Sequence, residues 1–324
     1  MAIRVKSPGL LTTVQDTGRF GVYAIGMPPS GAMDVFSYQV GNYLVGNEEG
    51  VAGLEITYFG PELEFTEDAV IAVTGAEMPP KINGEEAPTW ETLAVEAGDT
   101  LSFDYLKNGA RSYLAVAGGI DVPVFMHSRS TYTLIGLGGH EGRALQEGDE
   151  LEVGEAGDRS GRVGMSVNAD HVPAYSRETE LRVIIGLASY RLTDESMEEF
   201  LNTTWTVTPD ADRVGYRYRG GELKFIEREQ PAGAGADQAN VVDFGYPIGS
   251  IQVPGGVEPI VLMNDAVTGG GYATIGTVIS ADRDKLAQTK TNDKTRFRSV
   301  DLDEALKARN ERREHMAEIK GSLK

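Results

Sequence analysis

The chain has 324 residues, and its 30 Lys plus Arg stand against 49 Asp plus Glu, a formal charge of −19 at neutral pH. With no polybasic cluster, that balance excludes a phosphate-tracking nucleic-acid surface and an electrostatic membrane anchor. The absence of Cys excludes disulfides, thiolate catalysis, zinc-cysteine sites and iron–sulfur clusters. The opening Met1-Ala2-Ile3-Arg4-Val5-Lys6 lacks the apolar core of a signal peptide, and no run reaches the ~20 apolar residues of a membrane span; a cytoplasmic protein is expected.

Asp34, followed by Phe36, Val40, Tyr43 and Leu44, predicts an N-capped amphipathic helix that Gly46-Asn47 ends. Short alternating runs come next, at Glu62–Phe65, Thr100–Tyr105 and Ser112–Val116, and each reads as a strand. Asn83-Gly84 and Asn108-Gly109 lie between such runs and predict type I′ hairpin turns, hence antiparallel pairing. Ala97-Gly98-Asp99 and Glu147-Gly148-Asp149 are tight turns feeding strands. From about Gly154 to Arg177 small and polar residues replace the alternation, which predicts a linker. A second strand-rich block follows, with Leu181–Ile185, Ser250–Val253, Pro259–Met263 and Tyr272–Ser280, interrupted by a helix behind Thr193 that carries Met197, Phe200 and Leu201. Asp301 with Glu304 forms a capping pair at the head of a helical tail. Six acids and six bases cancel in that tail, so the whole net charge lies before residue 301.

The expected architecture is mainly β, with two barrel-like or sandwich-like domains, few short helices and a C-terminal helix. The partition is 1–154 for the first domain, 155–178 for the linker, 179–300 for the second domain and 301–324 for the tail.

Several chemistries are absent from the sequence. It has no Gly-x-x-x-x-Gly-Lys-Ser/Thr loop and no Gly-x-Ser-x-Gly elbow. Its four His, at 127, 140, 171 and 315, lack the close spacing of a zinc pair, so no metal is implied. Four segments carry more polar and glycine residues than strands require. In Val14–Gly21 with Gly31–Asp34, Gln15 and Arg19 are residues a turn does not demand; Asp16 and Asp34 are candidate carboxylates, although Asp34 also suits a helix cap. In His127-Ser128-Arg129-Ser130-Thr131-Tyr132, a guanidinium set among hydroxyls suits bidentate capture of a carboxylate or phosphate; the alternative is an Arg spent on loop carbonyls or on an internal acid such as Glu55. In Thr208–Tyr216, Arg213 is expected to pair with Asp210 or Asp212. In Gly249–Gly256 with Met263–Tyr272, two strands ending in glycine-rich loops are expected to bring Gln252, Asp265 and Tyr272 to one rim, with the amides around Gly270 and Gly271 forming an anion-binding nest.

Together these segments resemble the family of the 5-oxoprolinase C subunit, also called the Kip antagonist or allophanate hydrolase subunit 2 family. The likeness runs from about Val5 to Arg298 through Ser7-Pro8-Gly9-Leu10-Leu11-Thr12-Thr13-Val14-Gln15-Asp16, Gly31-Ala32-Met33-Asp34, Leu54-Glu55, Ala117-Gly118-Gly119-Ile120, Ser128-Arg129-Ser130-Thr131-Tyr132, Gly142-Arg143-Ala144-Leu145, Ile251-Gln252-Val253-Pro254 and Gly270-Gly271-Tyr272. It implies cyclophilin-like β-barrels and an enzyme that opens 5-oxoproline to glutamate with ATP, in company with A and B subunits. Two family relatives imply alternatives: the carboxyltransferase component of a urea-type, biotin-dependent carboxylase, and a regulatory antagonist of a kinase inhibitor related to the B subunit. No Met-Lys dipeptide of a biotin carrier is present in this chain, and no ATP site is identified in it. On the leading reading Arg129, with Ser130, Tyr132, Gln15 and Asp34 around it, holds a small anionic substrate. Gln252, Gly270 and Gly271 orient its ring, and Asp265 or Tyr272 transfers protons. Two departures from the family stand out. His127 replaces the usual glycine before Ser-Arg-Ser-Thr-Tyr, and Ala266-Val267-Thr268-Gly269 replaces Arg-Gln-Thr-Thr after the Asp.

Overall fold

A computed structural model describes residues 2–157 and 159–323, which divide into two compact units. Unit 1 comprises residues 1–20, 30–175 and 313–324; unit 2 comprises residues 21–29 and 176–312.

Unit 1 contains twelve described strands: β1 (Ala2–Ser7), β2 (Leu11–Gln15), β3 (Gly53–Thr57), β4 (Glu62–Phe65), β5 (Ala69–Glu77), β6 (Pro80–Ile82), β7 (Glu85–Glu86), β8 (Thr92–Val95), β9 (Thr100–Phe103), β10 (Asn108–Val116), β11 (Ile120–Asp121) and β12 (Glu150–Val153). They form a seven-stranded sheet in the order β11-β12-β1-β4-β9-β6-β7 and a five-stranded sheet in the order β2-β3-β10-β5-β8. Period-two patterning explains the first sheet. Ile3 and Val5 of β1 and Leu63 and Phe65 of β4 are buried in the core, while Arg4 and Lys6 point outward to Glu64 at 3.6 and 3.2 Å. Each such apolar side chain contributes about 2 kcal/mol.

The five-stranded sheet is covered on both faces, which is why β10 is buried along nearly its whole length. Ile71, Val73, Leu114 and Val116 enter the core between the sheets, whereas Val70, Ala72, Ala115 and Ala117 pack against α1 (Val35–Val45). As the sequence predicts, Asp34 caps α1 by accepting the Ser37 N–H at 3.0 Å, and Gly46 closes it in the left-handed region. Gly41 stands in the middle of this helix because a Cβ there would lie 3.2 Å from Thr74 Oγ1 and 3.3 Å from Ala115 Cβ. The end of the chain joins the same layer: Met316, Ile319 and Leu323 are buried with Phe36, Tyr43 and Leu44, and His315 Nε2 lies 2.8 Å from His171 Nδ1. Within residues 155–175, Met165 N–H bonds Thr92 Oγ1 at 2.9 Å and the Arg162 guanidinium donates to the carbonyls of Tyr43 and Leu44.

The two Asn-Gly pairs behave differently. Asn83 and Gly84, at φ 53° and 87°, make the predicted type I′ turn between β6 and β7. Asn108-Gly109 does not make a hairpin, because β9 and β10 belong to different sheets. Only Gly109 takes positive φ there, and the pair begins β10 beside an irregularity in its register with β5. An Asn-Gly pair therefore marks a permitted turn, while burial decides which strands it joins.

Unit 2 holds β13 (Glu178–Ile185), α2 (Asp194–Asn202), β14 (Trp205–Ala211), β15 (Gly215–Arg219), β16 (Asn240–Gly245), β17 (Ser250–Gln252), β18 (Ile260–Leu262), β19 (Gly269–Tyr272), β20 (Thr274–Val278), α3 (Arg283–Ala287) and β21 (Lys294–Ser299). Seven strands close into a barrel in the order β13-β20-β17-β18-β15-β14-β21, antiparallel except where β13 meets β21. Leu181, Val183, Val207, Tyr216, Tyr218, Ile251, Val261, Ile275 and Phe297 alternate along these strands and are buried, the pattern of strands turning one face inward. β16 and β19 form a separate two-stranded ribbon. The C-terminal helix α4 (Leu302–Ser322) starts with Asp301 Oδ1 accepting the Glu304 N–H at 2.8 Å. Thus the mainly β architecture, a barrel, few helices and a C-terminal helix are all present.

Candidate functional sites in the two units

In unit 1 the Ser-Arg-Ser-Thr-Tyr segment is organised by Asp16. Its carboxylate accepts the hydroxyls of Ser128 and Ser130, the Arg129 N–H and the Gly18 N–H. Gln15, fully buried, donates to Thr13 Oγ1 and the Thr131 carbonyl at 3.0 and 3.2 Å and accepts the Gly31 N–H at 3.1 Å. It thereby ties the Ser-Arg-Ser-Thr-Tyr segment to Gly31-Ala32-Met33-Asp34. Asp34 spends its carboxylate on the Ser37 N–H and hydroxyl, and Tyr132 is buried with its N–H on the Leu137 carbonyl. Gln15, Asp34 and Ser130 thus hold backbone in place. Arg129 differs: its side chain is 39% exposed, donating to the Val122 carbonyl at 2.9 Å and to the exposed Asp121 at 3.1 Å. Of the two sequence alternatives, it uses a loop carbonyl and a surface acid, not Glu55. An exposed pair of this kind is worth about 0–1 kcal/mol, so a competing carboxylate displaces Asp121 at little cost.

Glu55 serves a different network. It lies directly opposite Tyr113 in the β3–β10 register, accepts the Tyr113 hydroxyl and the Met33 N–H at 2.8 Å each, and stands 3.7 Å from the Arg111 guanidinium. Tyr113 in turn accepts the Asp34 N–H at 2.8 Å. Burial, then the negative charges of Glu55 and Asp34, push the Tyr113 phenol well above its ordinary range. A buried ion pair and phenol therefore support the Met33-Asp34 backbone from below. His127 keeps the left-handed conformation that a glycine in its place would favour, at φ 63°, and Met126 beside it has φ 49°. A histidine in this region carries strain of about 1–2 kcal/mol relative to glycine.

In unit 2 the glycine-rich segment is not a nest. Gly269, Gly270 and Gly271 are extended and form β19, with Gly270 opposite Phe244 and Tyr272 opposite Asn240. Successive amides of a strand alternate in direction, so they cannot converge on one anion. The organising side chain is Tyr246. Its hydroxyl accepts the Tyr272 N–H at 2.7 Å and donates to the Tyr272 carbonyl at 2.9 Å, and its ring would meet a Cβ on Gly270 at 3.1 Å. Burial raises the phenol's pKa, and the nearby Gln252 side chain acts in the opposite direction. Gln252, Gly270 and Tyr272 are therefore gathered around one buried phenol, and the Tyr272 ring, 42% exposed, is the group among them that faces solvent.

Asp265 is placed differently. It is 2% exposed and held by Arg213, whose Nε and Nη2 donate to its two oxygens at 2.8 and 3.2 Å. The expected pairing of Arg213 with Asp210 or Asp212 is thus corrected. Asp212 accepts the N–H groups of Val214 and Gly215 in its own turn, and Asp210 is an exposed neighbour of Arg217.

With both sets of residues located, the likeness to known proteins is specific. A carboxyltransferase domain, subdomains A and B, matches residues 25–299. The chain belongs to this carboxyltransferase family. It is 35% identical over 318 residues to the C subunit of 5-oxoprolinase from Escherichia coli K12, covering 98% of this chain and 97% of that protein. It is 34% identical to urea amidolyase of Saccharomyces cerevisiae, covering 91% of this chain and 16% of that much longer protein. Among solved structures, urea carboxylase of Kluyveromyces lactis superposes with a TM-score of 0.92 at 32% identity, over 100% of this chain and 30% of that one. Carboxyltransferase-family members of both kinds are parts of enzymes. Among the described residues no helix is long and apolar enough to cross a membrane.

Sequence reasoning missed Tyr246, Tyr113 and Arg111. A signal existed for the last two: a lone Glu in the apolar strand Gly53–Thr57 needs buried donors, and Arg111 and Tyr113 share one face of β10. Tyr246 had none, because its role follows from ribbon pairing across a long loop.

Proposed function

We propose that this chain is the C subunit of an ATP-dependent 5-oxoprolinase, working with the A and B subunits to open 5-oxoproline to glutamate. The observation that carries the reading is the end-to-end match to the E. coli C subunit, where urea amidolyase is matched only in a part. A lactam resists water because its amide resonance must be broken. Transfer of a phosphoryl group from ATP to the lactam oxygen leaves an imidate-like carbon open to water; the C–N bond then breaks, nitrogen takes a proton, and glutamate and phosphate result. No phosphate-binding Lys loop is present in the sequence, so nucleotide is assigned to the partner subunits.

In unit 1 the group assigned to an anionic substrate is Arg129, because its guanidinium is accessible and its present partner is weakly held. The buried Gln15, Asp34, Ser130 and Tyr132 fix the loop that carries it. In unit 2, Tyr272 is assigned proton transfer, with Gln252 and the strand at Gly270 and Gly271 shaping its surroundings. Asp265 is assigned to Arg213 and supports the segment from within. The test is ATP-dependent glutamate formation by the A and B subunits with and without this chain; a rate that this chain does not raise ends the proposal.

A carboxyltransferase role is the second reading, favoured by the fit to urea carboxylase. It requires biotin on another polypeptide. A purified native complex with a streptavidin-reactive chain supports it, and one without counts against it.

A further inference from the structure

The outer face of the unit 2 barrel carries a depression that neither candidate site uses. Its volume is about 250 Å³, and Glu178, Thr179, Glu180, Thr204, Lys294 and Arg296 line it. Alternation along the strands puts these residues outside. In β21, Thr295 and Phe297 are buried while Lys294 and Arg296 are exposed; in β13, Leu181 and Val183 are buried while Glu178 and Glu180 are exposed. The parallel register sets Glu178 across from Lys294 and Glu180 across from Arg296, on strands about 4.8 Å apart. On the other flank of β21, β14 brings Thr206 across from Lys294.

Opposite charges that face each other across a strand pair attract, and here they do not meet. Lys294 turns to β14 and donates to Thr206 Oγ1 at 2.7 Å, Arg296 Nε donates to Thr204 Oγ1 at 3.0 Å, and neither cation has an ion pair among the described residues. Glu180 is taken diagonally by Arg298 Nε at 2.9 Å, whereas the Glu178 carboxylate has no partner among the described residues. A row of acids and a row of cations therefore stand on opposite walls of open space, with two cations and one carboxylate unmatched. Their complement is a molecule with two carboxylates and one ammonium group. We infer that this depression binds a small dicarboxylic amino acid, its ammonium on Glu178 and its carboxylates on Lys294 and Arg296, which stand two residues apart on the strand, roughly 7 Å. A dicarboxylate without the amine meets Glu178 uncompensated, and an amino acid with one carboxylate leaves a cation unmatched.

The test is a titration of the full, isotope-labelled chain at low salt, following the backbone amide shifts of β13 and β21 by nuclear magnetic resonance. L-glutamate and L-aspartate are the two sources of this chemistry; glutarate and L-alanine each lack one of its groups. Because the charged groups are exposed, a Kd on the order of 1 mM is expected for one or both of the first pair, weakened several-fold at about 0.5 M NaCl. Glutarate and L-alanine should bind at least about fivefold more weakly. Glu178→Gln should bring glutarate level with L-glutamate, and Lys294→Gln combined with Arg296→Gln should abolish binding, with thermal midpoints unchanged since these side chains face solvent. Flat titrations with both acids up to about 20 mM, glutarate binding to the parent as tightly as L-glutamate, or binding that survives the loss of both cations overturns the inference. Glutamate is also the product of the reaction proposed above, yet the inference does not rest on that reading. Binding here by a chain that adds nothing to glutamate formation by the A and B subunits would leave this site standing while the 5-oxoprolinase reading falls, and flat titrations beside full activity would do the reverse.

Discussion

Replacing Asp265 by Asn tests whether this carboxylate is a structural counter-ion. Arg213 and Asp265 are 5% and 2% exposed, and the two hydrogen bonds between them are 2.8 and 3.2 Å. A guanidinium stays charged at every accessible pH, so Asp265→Asn takes away the carboxylate that faces this buried charge at 2.8 Å. Breaking a buried pair from one side costs about 3–5 kcal/mol. For a unit of this size, that lowers the thermal midpoint by roughly 6–20 °C. Removing both charges at once, with Arg213→Met and Asp265→Leu, relieves the penalty and is expected to return stability to within about 2 kcal/mol of the parent. Urea unfolding followed by circular dichroism, with the m-value checked for constancy, gives all three free energies. An Asp265→Asn variant within about 1 kcal/mol of the parent would refute the reasoning and return Asp265 to the candidates for proton transfer.

His127→Gly relieves a left-handed residue on an exposed loop and is expected to stabilise unit 1 by about 1 kcal/mol in the same denaturation assay; no gain would mean that the ring makes a compensating contact. Tyr113→Phe removes the hydroxyl that accepts the Asp34 N–H and donates to Glu55, and is expected to cost about 1–3 kcal/mol. Because the folded-state pKa values of Tyr113 and Tyr246 lie above the unfolded value near 10, the contribution of these two phenols to stability is full below pH 10 and falls as pH rises beyond it. Absorbance at 295 nm should show these phenols ionising only on unfolding. Asp149 titrates at about 2, held down chiefly by its hydrogen bonds with Arg143, so its contribution is present above the unfolded value of 3.8 and is lost as pH falls toward 2. Asp149→Asn should therefore flatten the acid limb of stability between about pH 4 and 2.

Local chemistry made much of this legible. The caps at Asp34 and Asp301, the helix behind Thr193, the I′ turn at Asn83-Gly84 and the alternating strands all rest on interactions within a few residues, and such interactions are written in sequence order. Legibility ended where a partner lay far along the chain. Arg213 found Asp265 fifty-two residues away although two acids were adjacent, because the adjacent acids were exposed and served their own turn. Gly269-Gly270-Gly271 reads as a loop by composition and becomes a strand because β16 supplies a partner edge and the Tyr246 ring occupies the space beside Gly270. His127 shows the converse case: a histidine gives no sign in the sequence of the left-handed backbone that it adopts.

The most direct measurement is a substrate comparison on one reconstituted complex of this chain with the A and B subunits. ADP release is followed with 5-oxoproline and, separately, with urea plus bicarbonate. The 5-oxoprolinase assignment predicts ADP and glutamate in equal amounts from 5-oxoproline and no stimulation by urea. Urea-dependent ADP release without glutamate formation from 5-oxoproline would contradict it.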